Sequence, residues 1–320
     1  MKVLIIKTSS MGDVIHALPA IVDAKNAIPD LVFDWVVEET FADIPKLSSS
    51  VRKIIPVALR RWRKNWFKAF TSREVRKFLL MLRAEKYDYI IDAQGLIKSA
   101  IISKCARGVS VGFDFKSARE PLATCLYQKR FRVAKDQHAI ARIRQLFAQA
   151  LNYKLPESEP DYGLDISPIE DESENKLLFI HGTSRAEKCW AEEKWVALAR
   201  LAGAAGFTIY LPWGNSLELE RAERIAAACD RIKILPKMAL HELASFMAGV
   251  CAVVTVDTGL GHLAAALSVP TIALYGPTNP KLIGTVGKNQ CHILNFENVT
   301  GEEVWRELET SLNRNKLFFK

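Results

Sequence analysis

MKVLIIKTSSMGDVIHALPAIVDAKNAI, residues 1–28, opens the chain with a short apolar run, a turn of small residues and an amphipathic segment. The run inside KVLIIK shows no polar alternation, so it reads as a strand covered on both faces, the habit of a parallel sheet. DVIHALPAIVDAKNAI reads as a helix, and Ser9, Ser10 and Gly12 between the two suit a tight turn. A strand, turn and helix in that order begin a βαβ unit. Because the run is only four residues long between Lys2 and Lys7, it reads as a strand, and a signal peptide is not expected.

The alternation continues from there. VFDWVVEE, KIIPVA and DYIIDAQG read as strands; SREVRKFLLMLRAEK, LIKSAIISKCAR and QHAIARIRQLFAQALNY read as helices, the last with Arg142 and Arg144 on its solvent side. Residues 154–176, KLPESEPDYGLDISPIEDESENK, are rich in Pro, Ser and acids and read as a boundary, with one short strand near Tyr162–Ile166. Strands then resume in KLLFIHG, FTIYLPWG, RIKILP, CAVVTVD and PTIALYG, separated by the helices EEKWVALARLAGAAG, LELERAERIAAACD, LHELASFMAG and LGHLAAALS. The expected organisation is a Rossmann-like N-terminal domain over 1–155, a linker region over 156–176 and a Rossmann-like C-terminal domain over 177–320. The last helix, GEEVWRELETSLNRNK, could complete either domain, packing back on the N-terminal one included. Two α/β/α domains facing a central cleft would bind ligands at the carboxyl ends of their strands.

The chain has 320 residues, 49% of them apolar, enough for two cores. Its net charge of +8 is uneven: Arg60 to Lys77 carries eight cations against Glu74, and the remainder sums close to neutral. In that segment RRWRKNWFKAF interleaves Arg60, Arg61, Arg63, Lys64 and Lys68 with Trp62, Trp66, Phe67 and Phe70. The pattern suits a buried hinge or an interfacial anchor, and a phosphorylated lipid matches both its charge and its apolar surface. Nucleic acid is not expected, because no nucleic-acid module and no second basic stripe of similar density is present. The six cysteines form no CxxC pair, and Cys105, Cys125, Cys229 and Cys251 read as buried free thiols in a reducing compartment. No stretch of about 18 apolar residues exists, so the expectation is a cytoplasmic protein that touches a membrane from inside.

Chemistry concentrates at two strand ends. Asp13 stands where the first helix begins, as an N-cap or as a general base at the carboxyl end of the first strand. His16, one turn on, reads as a packing residue. The turn is neither GxGxxG nor a GK[ST] phosphate loop. In the second half LLFIHGTSRAEKCW carries His181, Thr183, Ser184, Arg185 and Lys188, and VVTVDTGLGHLAAAL carries Asp257, Thr258, Gly259, Gly261 and His262 into a helix. Hydroxyls, backbone amides and a helix N-terminus at one strand end are what a diphosphate needs, and Lys188 adds a point charge. No set of His, Cys, Asp and Glu has metal-ligand spacing, so no tightly held metal or cofactor is expected.

These residues occur together in a known family. KTSSMGDVIHALPA, FDWVVEE, IPVALRRWRK, YDYIIDAQGLIKSA, SAREPLA, LPWG, VDTGLGHLAAAL and LYGPTNPKLIG resemble the lipopolysaccharide heptosyltransferase I family, of glycosyltransferase family 9, over nearly the whole chain. The resemblance implies a GT-B fold and an inverting transfer of L-glycero-D-manno-heptose from ADP-L-glycero-D-manno-heptose to the first Kdo of Kdo2-lipid A. It implies Asp13 as the base and Thr183, Lys188, Asp257, Thr258, Gly259 and His262 as donor contacts; Ser184, whose hydroxyl can donate, is expected beside them. Arg60, Arg61, Arg63, Lys64, Arg119 and Glu120 would meet the acceptor. A monomer peripherally associated with the cytoplasmic face of the inner membrane is expected. Two positions depart from the family: Cys189 follows Lys188 where His is common, and HGTS replaces HATT through Gly182 and Ser184. Rival readings are a heptosyltransferase II-like enzyme acting on the heptosylated acceptor and a non-catalytic nucleotide-sugar sensor with no use for Asp13. An NAD-dependent oxidoreductase lacks its glycine fingerprint.

Overall fold

The computed structural model describes residues 1–64, 73–164, 166–169 and 175–316. The chain divides into two compact units, Met1–Asp165 and Ile166–Lys320, each carrying one six-stranded sheet. In the first unit β1 (Lys2–Ile6), β2 (Val32–Glu38), β3 (Val51–Val57), β4 (Tyr89–Asp92), β5 (Val109–Phe113) and β6 (Lys129–Phe131) are ordered β3-β2-β1-β4-β5-β6. All pairs are parallel, with Ile6 of β1 opposite Val36 on one side and Asp92 on the other. The chain order reverses at β1, so the loops leaving β1 and β4 diverge and open a site at the carboxyl edge.

The second unit repeats that plan. Its strands are β7 (Lys176–Ile180), β8 (Thr208–Leu211), β9 (Ile232–Ile234), β10 (Ala252–Val256), β11 (Thr271–Tyr275) and β12 (Gln290–Leu294), ordered β12-β11-β10-β7-β8-β9 and parallel throughout. Central strands β1, β7 and β10 are apolar runs because helices cover both faces: Val3, Leu4, Ile5 and Ile6 are fully buried, and so are Leu177, Leu178 and Phe179. Each such side chain contributes roughly 1.5–3 kcal/mol on burial. The three strands that sequence reading did not find, β5, β6 and β12, are short, and β6 and β12 are edge strands with half-exposed or exposed residues.

Several expectations change. The helix read over 13–28 is two helices, Met11–Ile15 and Leu18–Ala27, because Pro19 has no amide to donate and sits in the first turn of the second. Arg144, expected toward solvent, is buried and pairs with Asp23 at 2.5 Å, joining helix Ala139–Leu151 to helix Leu18–Ala27; its other nitrogens donate to the Ser158 and Pro156 carbonyls. Arg142 lies over the Phe113 ring and donates to the Ser117 carbonyl. Periodicity placed an apolar face correctly but could not see that two charges inside it neutralise each other. Cys125, read as buried, is exposed on the turn Pro121–Leu126. The described residues near 162–166 form no strand. The last helix, Gly301–Lys316, packs on helix Glu192–Ala204 and against β10 and β11 of its own unit. Gly301 permits that approach, since a Cβ there would meet the Leu198 amide nitrogen at 2.8 Å. Trp66, Phe67, Lys68 and Phe70 of the basic aromatic stretch fall outside the described residues.

A buried pair is costly to half-remove. Asp23→Ala should lower the stability of the first unit by about 3–5 kcal/mol, and joint replacement Asp23→Leu with Arg144→Met should recover most of it. Urea unfolding checks this; a loss below about 1 kcal/mol for the single change would contradict the pairing.

Candidate active site

Strand β1 ends in a segment held from three sides. The Lys7 amide donates to the Val36 carbonyl, the Trp35 indole donates to the Lys7 carbonyl, and the Gln94 side-chain oxygen accepts from the amides of Thr8 and Ser9. The Lys7 side chain is 7% exposed, and its ammonium lies 3.3 Å from Asp13 Oδ1 and 3.2 Å from the Ala93 carbonyl. Asp13 is not the N-cap. Ser10 takes that position, and Asp13, three residues on, reaches back so that Oδ2 accepts the Ser10 amide at 2.9 Å and its hydroxyl at 3.2 Å. Burial by itself would raise the Asp13 pKa, but the charge and hydrogen bond of Lys7 and the two bonds from Ser10 outweigh it and hold the carboxyl below its ordinary value. With its side chain 32% exposed, Asp13 is an ionised carboxylate open to a reacting hydroxyl. His16, by contrast, is buried with its ring edge-on to His138 at 5.5 Å.

The expected acceptor cations stand on neighbouring loops of the same carboxyl edge. Helix Leu59–Lys64 follows β3, and buried Glu38 at the end of β2 accepts the Arg60 amide at 3.0 Å. Burial, ahead of that bond, leaves the Glu38 pKa raised. The Arg60 guanidinium lies 4.9 Å over the Phe41 ring. Arg61 is already neutralised: its nitrogens donate to Glu39 at 3.1 and 3.2 Å and to Glu74 at 2.8 and 3.0 Å. Trp62 also donates to Glu74 and packs edge-on against Phe78 at 5.7 Å, so it anchors the turn. Arg63 and Lys64 are exposed. In the loop after β5 Arg119 is exposed, while Glu120 caps helix Ile97–Cys105 by accepting the Ile97 amide at 2.7 Å.

In the second unit the loop after β7 and the loop after β10 meet. Lys188, placed by the turn Ala186–Lys188, bonds Asp257 Oδ2 at 2.5 Å, and Thr278 donates to the same oxygen at 2.5 Å. Thr183 donates to the Asp257 carbonyl at 3.2 Å. Thr258 is the N-cap of helix Gly259–Ala266, and Gly261 lets that helix press onto β10, where a Cβ would meet Thr255 Cγ2 at 2.8 Å. A cavity of about 500 Å³ borders Lys188 and Thr278 and is lined beyond them by Arg185, Pro277, Asn295 and Glu297. Thr183, Lys188, Asp257 and Thr258 are thus brought to one place. Of the expected donor residues Lys188 alone lines the cavity; Ser184 is exposed nearby in sequence and His262 is buried in the helix. His181 is fully buried and its pKa is pushed down to about 4, by burial first and by Arg221 second, so its ring is neutral at neutral pH. Gly182 leaves room for Glu218, whose carboxyl carbon lies 2.7 Å from where a Cβ would stand and whose oxygen accepts the Gly214 amide.

Two residues here escaped sequence reading. Lys7 looked like the polar end of a strand, and only its place two residues before the turn hinted otherwise. Thr278 sits in YGPTNP, where nothing but adjacency to a strand end marked it. Among the described residues no three His, Cys, Asp or Glu side chains converge as metal ligands would.

Residues 75–310 match the model of glycosyltransferase family 9 (heptosyltransferase). Lipopolysaccharide heptosyltransferase 1 of Escherichia coli K12 is 49% identical over 294 residues, 91% of this chain and 92% of that protein. The protein of the same name from Pseudomonas aeruginosa is 50% identical over 296 residues, 92% of this chain and 83% of its own length. Among solved structures, E. coli heptosyltransferase WaaC with ADP superposes with a TM-score of 0.92 at 47% identity, covering 97% of this chain and 100% of that one. WaaC with ADP-2-deoxy-2-fluoro heptose gives a TM-score of 0.90 at 46% identity, over 97% of this chain and 99% of that one. The fold extends to E. coli ADP-heptose lps heptosyltransferase II, with a TM-score of 0.82 at 21% identity and coverage of 99% and 100%. The two parallel six-stranded units are those of the GT-B heptosyltransferases, and the chain belongs to glycosyltransferase family 9, the heptosyltransferases.

Proposed function

We propose that this protein is an inverting glycosyltransferase that moves L-glycero-D-manno-heptose from ADP-heptose to the first Kdo of Kdo2-lipid A. The observation that carries the reading is the carboxylate of Asp13, kept ionised by Lys7 and Ser10 yet partly open at the end of β1. A sensor of nucleotide sugars would have no need of it. Similarity to heptosyltransferase 1 proteins at 49% and 50% identity supports the first heptose over the second, since a heptosyltransferase 2 protein of Salmonella typhimurium is 25% identical.

The reaction is a single displacement. A Kdo hydroxyl attacks the anomeric carbon from the face opposite ADP, its proton passes to Asp13, and the bond from that carbon to the diphosphate oxygen breaks with its electron pair leaving on ADP. Charge grows on the diphosphate as the bond lengthens. Lys188 and the amides at the start of helix Gly259–Ala266 stabilise it there, with Thr183, Ser184 and His262 as further donor contacts. Asp257 and Thr278 hold Lys188 in place through the bonds described. Arg60, Arg63, Lys64 and Arg119 meet the acidic groups of the acceptor. Arg61, satisfied by Glu39 and Glu74, and Glu120, capping a helix, position those cations. No metal takes part in this account. No described helix is long and apolar enough to cross a membrane. In this reading the protein works as a monomer on the cytoplasmic face of the inner membrane, where its lipid-linked acceptor lies.

Two measurements test these roles. Asp13→Asn should leave ADP binding intact and cut turnover by roughly 10²–10⁴, the range for a lost general base; near-normal turnover would sink the assignment. The pH profile tests Lys7. Asp13 has a depressed pKa in the folded protein, so it accepts protons, and kcat/KM falls, only as pH drops through that low value. The stability that pairing contributes is present above the unfolded carboxyl value of about 3.9 and disappears over the same descent. Lys7→Met leaves burial unopposed by the ammonium, so the acidic limb of kcat/KM should move to higher pH, and Lys7→Arg should restore it. An unmoved limb would show that Lys7 does not set the base.

A further inference from the structure

We propose that the face formed by Ile97, Ile101, Phe115 and Leu122 seats this protein on an anionic lipid bilayer. The proposal rests on the lipid-linked acceptor proposed above and adds which surface meets the membrane. Ile97 and Ile101 stand one turn apart on helix Ile97–Cys105, 40% and 51% exposed, whereas Ser99, Ala100, Ile102 and Ser103 on its other side are buried. Helical spacing sets Lys98 and Lys104, both exposed, on the two flanks of that isoleucine row. The turn Pro121–Leu126 packs along the helix and presents Leu122 at 67% exposure. Phe115, 62% exposed, projects from the loop after β5 beside exposed Lys116 and Arg119. That loop is tied to the start of the helix: the Glu120 amide donates to the Gly95 carbonyl at 3.0 Å, and the Ile97 amide donates to Glu120 at 2.7 Å.

Single exposed apolar residues are ordinary, but a group of them within a cationic rim marks a docking surface. The charge identifies the occupant. Between Ala93 and Lys135 the chain has nine lysines and arginines against two acids, Asp114 and Glu120. Both acids are engaged locally, Asp114 by accepting the Ser117 amide at 2.8 Å and Glu120 at the helix start. The near-neutral sum outside Arg60–Lys77 therefore hides a second positive region, offset by acids elsewhere in the chain. Helix Ile97–Cys105 and the turn Pro121–Leu126 contain no acidic residue at all. Anionic headgroups beside acyl chains satisfy both halves of such a face, cations at the phosphates and side chains at the acyl boundary. The face also follows the carboxyl ends of β4 and β5, the edge of the sheet that carries Asp13 and Arg60. A bilayer there would deliver a membrane-held sugar to the base.

The test uses the full chain with Ile101→Gln and Leu122→Gln together, two positions outside the catalytic and acceptor-binding sets. Co-sedimentation is measured with phosphatidylethanolamine–phosphatidylglycerol vesicles and with phosphatidylcholine vesicles. The wild type should partition to the anionic vesicles, and the double variant should lose about tenfold or more of that partitioning with an unchanged unfolding midpoint. Lys98→Glu with Lys104→Glu should do the same. Transfer to a water-soluble, deacylated Kdo acceptor should stay at the wild-type rate in the Ile101/Leu122 variant, while transfer to the acceptor embedded in vesicles falls with binding. Vesicle binding by the Ile101/Leu122 variant equal to wild type, or wild-type binding indifferent to lipid charge, would overturn the proposal. So would a wild-type dimer that this variant dissociates, because the face would then meet a second copy. A wild-type protein that binds anionic vesicles and transfers to neither acceptor would sustain the docking face and overturn the functional reading instead.

Discussion

A buried ammonium at the end of the central strand is the constraint on which the first unit's site depends. Taking Lys7 out of water costs several kcal/mol unless it finds partners of opposite charge or good acceptors. It finds the Asp13 carboxylate and the Ala93 carbonyl, one from the helix after β1 and one from the end of β4. Gln94, next to Ala93, holds the amides of Thr8 and Ser9, so the same β4 loop supports the turn from two sides. The price of that arrangement is a carboxylate whose two oxygens are both engaged. The return is a carboxylate that is ionised at neutral pH and fixed in orientation; in the proposed role as a base it would lose little freedom on reaction.

The second unit solves a related problem with the opposite polarity. Asp257 follows β10, where helix amides already favour an anion, and its carboxylate would compete with a diphosphate for them. Lys188 and Thr278 both bond the same oxygen of that carboxylate, and the lysine offsets its charge. Three loops from separate strands, β7, β10 and β11, contribute one side chain each. The depressed pKa of His181 keeps the ring that follows β7 uncharged at neutral pH. Each unit thus sets a lysine–aspartate pair at the carboxyl edge of its sheet, with a hydroxyl residue as the aspartate's second donor.

Much of the fold was legible because central parallel strands are continuous apolar runs between helices of regular period. KVLIIK, KLLFIHG and CAVVTVD could hardly be anything else. The edge strands β6 and β12 were invisible for the same reason in reverse: exposed on one side, KRF and QCHIL carry no such run. Asp13 could be singled out by its position after the first strand, but its partner could not, since Lys7 reads equally as a strand terminus and as a site residue. Arg144 misled for a physical reason, because an amphipathic pattern assigns every arginine to solvent and cannot know that Asp23 waits on a helix more than a hundred residues away. Arg61 is the subtler case. A basic run looks uniform, and only geometry separates the arginine locked by Glu39 and Glu74 from its exposed neighbours Arg63 and Lys64.

The central claim is the identity of the sugar chain this protein extends. It is tested most directly by incubating the purified chain with ADP-L-glycero-D-manno-heptose and, side by side, Kdo2-lipid A and the same lipid already carrying one heptose, with products weighed by mass spectrometry. One heptose should add to Kdo2-lipid A and none to the heptosylated lipid. Addition only to the heptosylated lipid would contradict it and assign the chain to the second transfer.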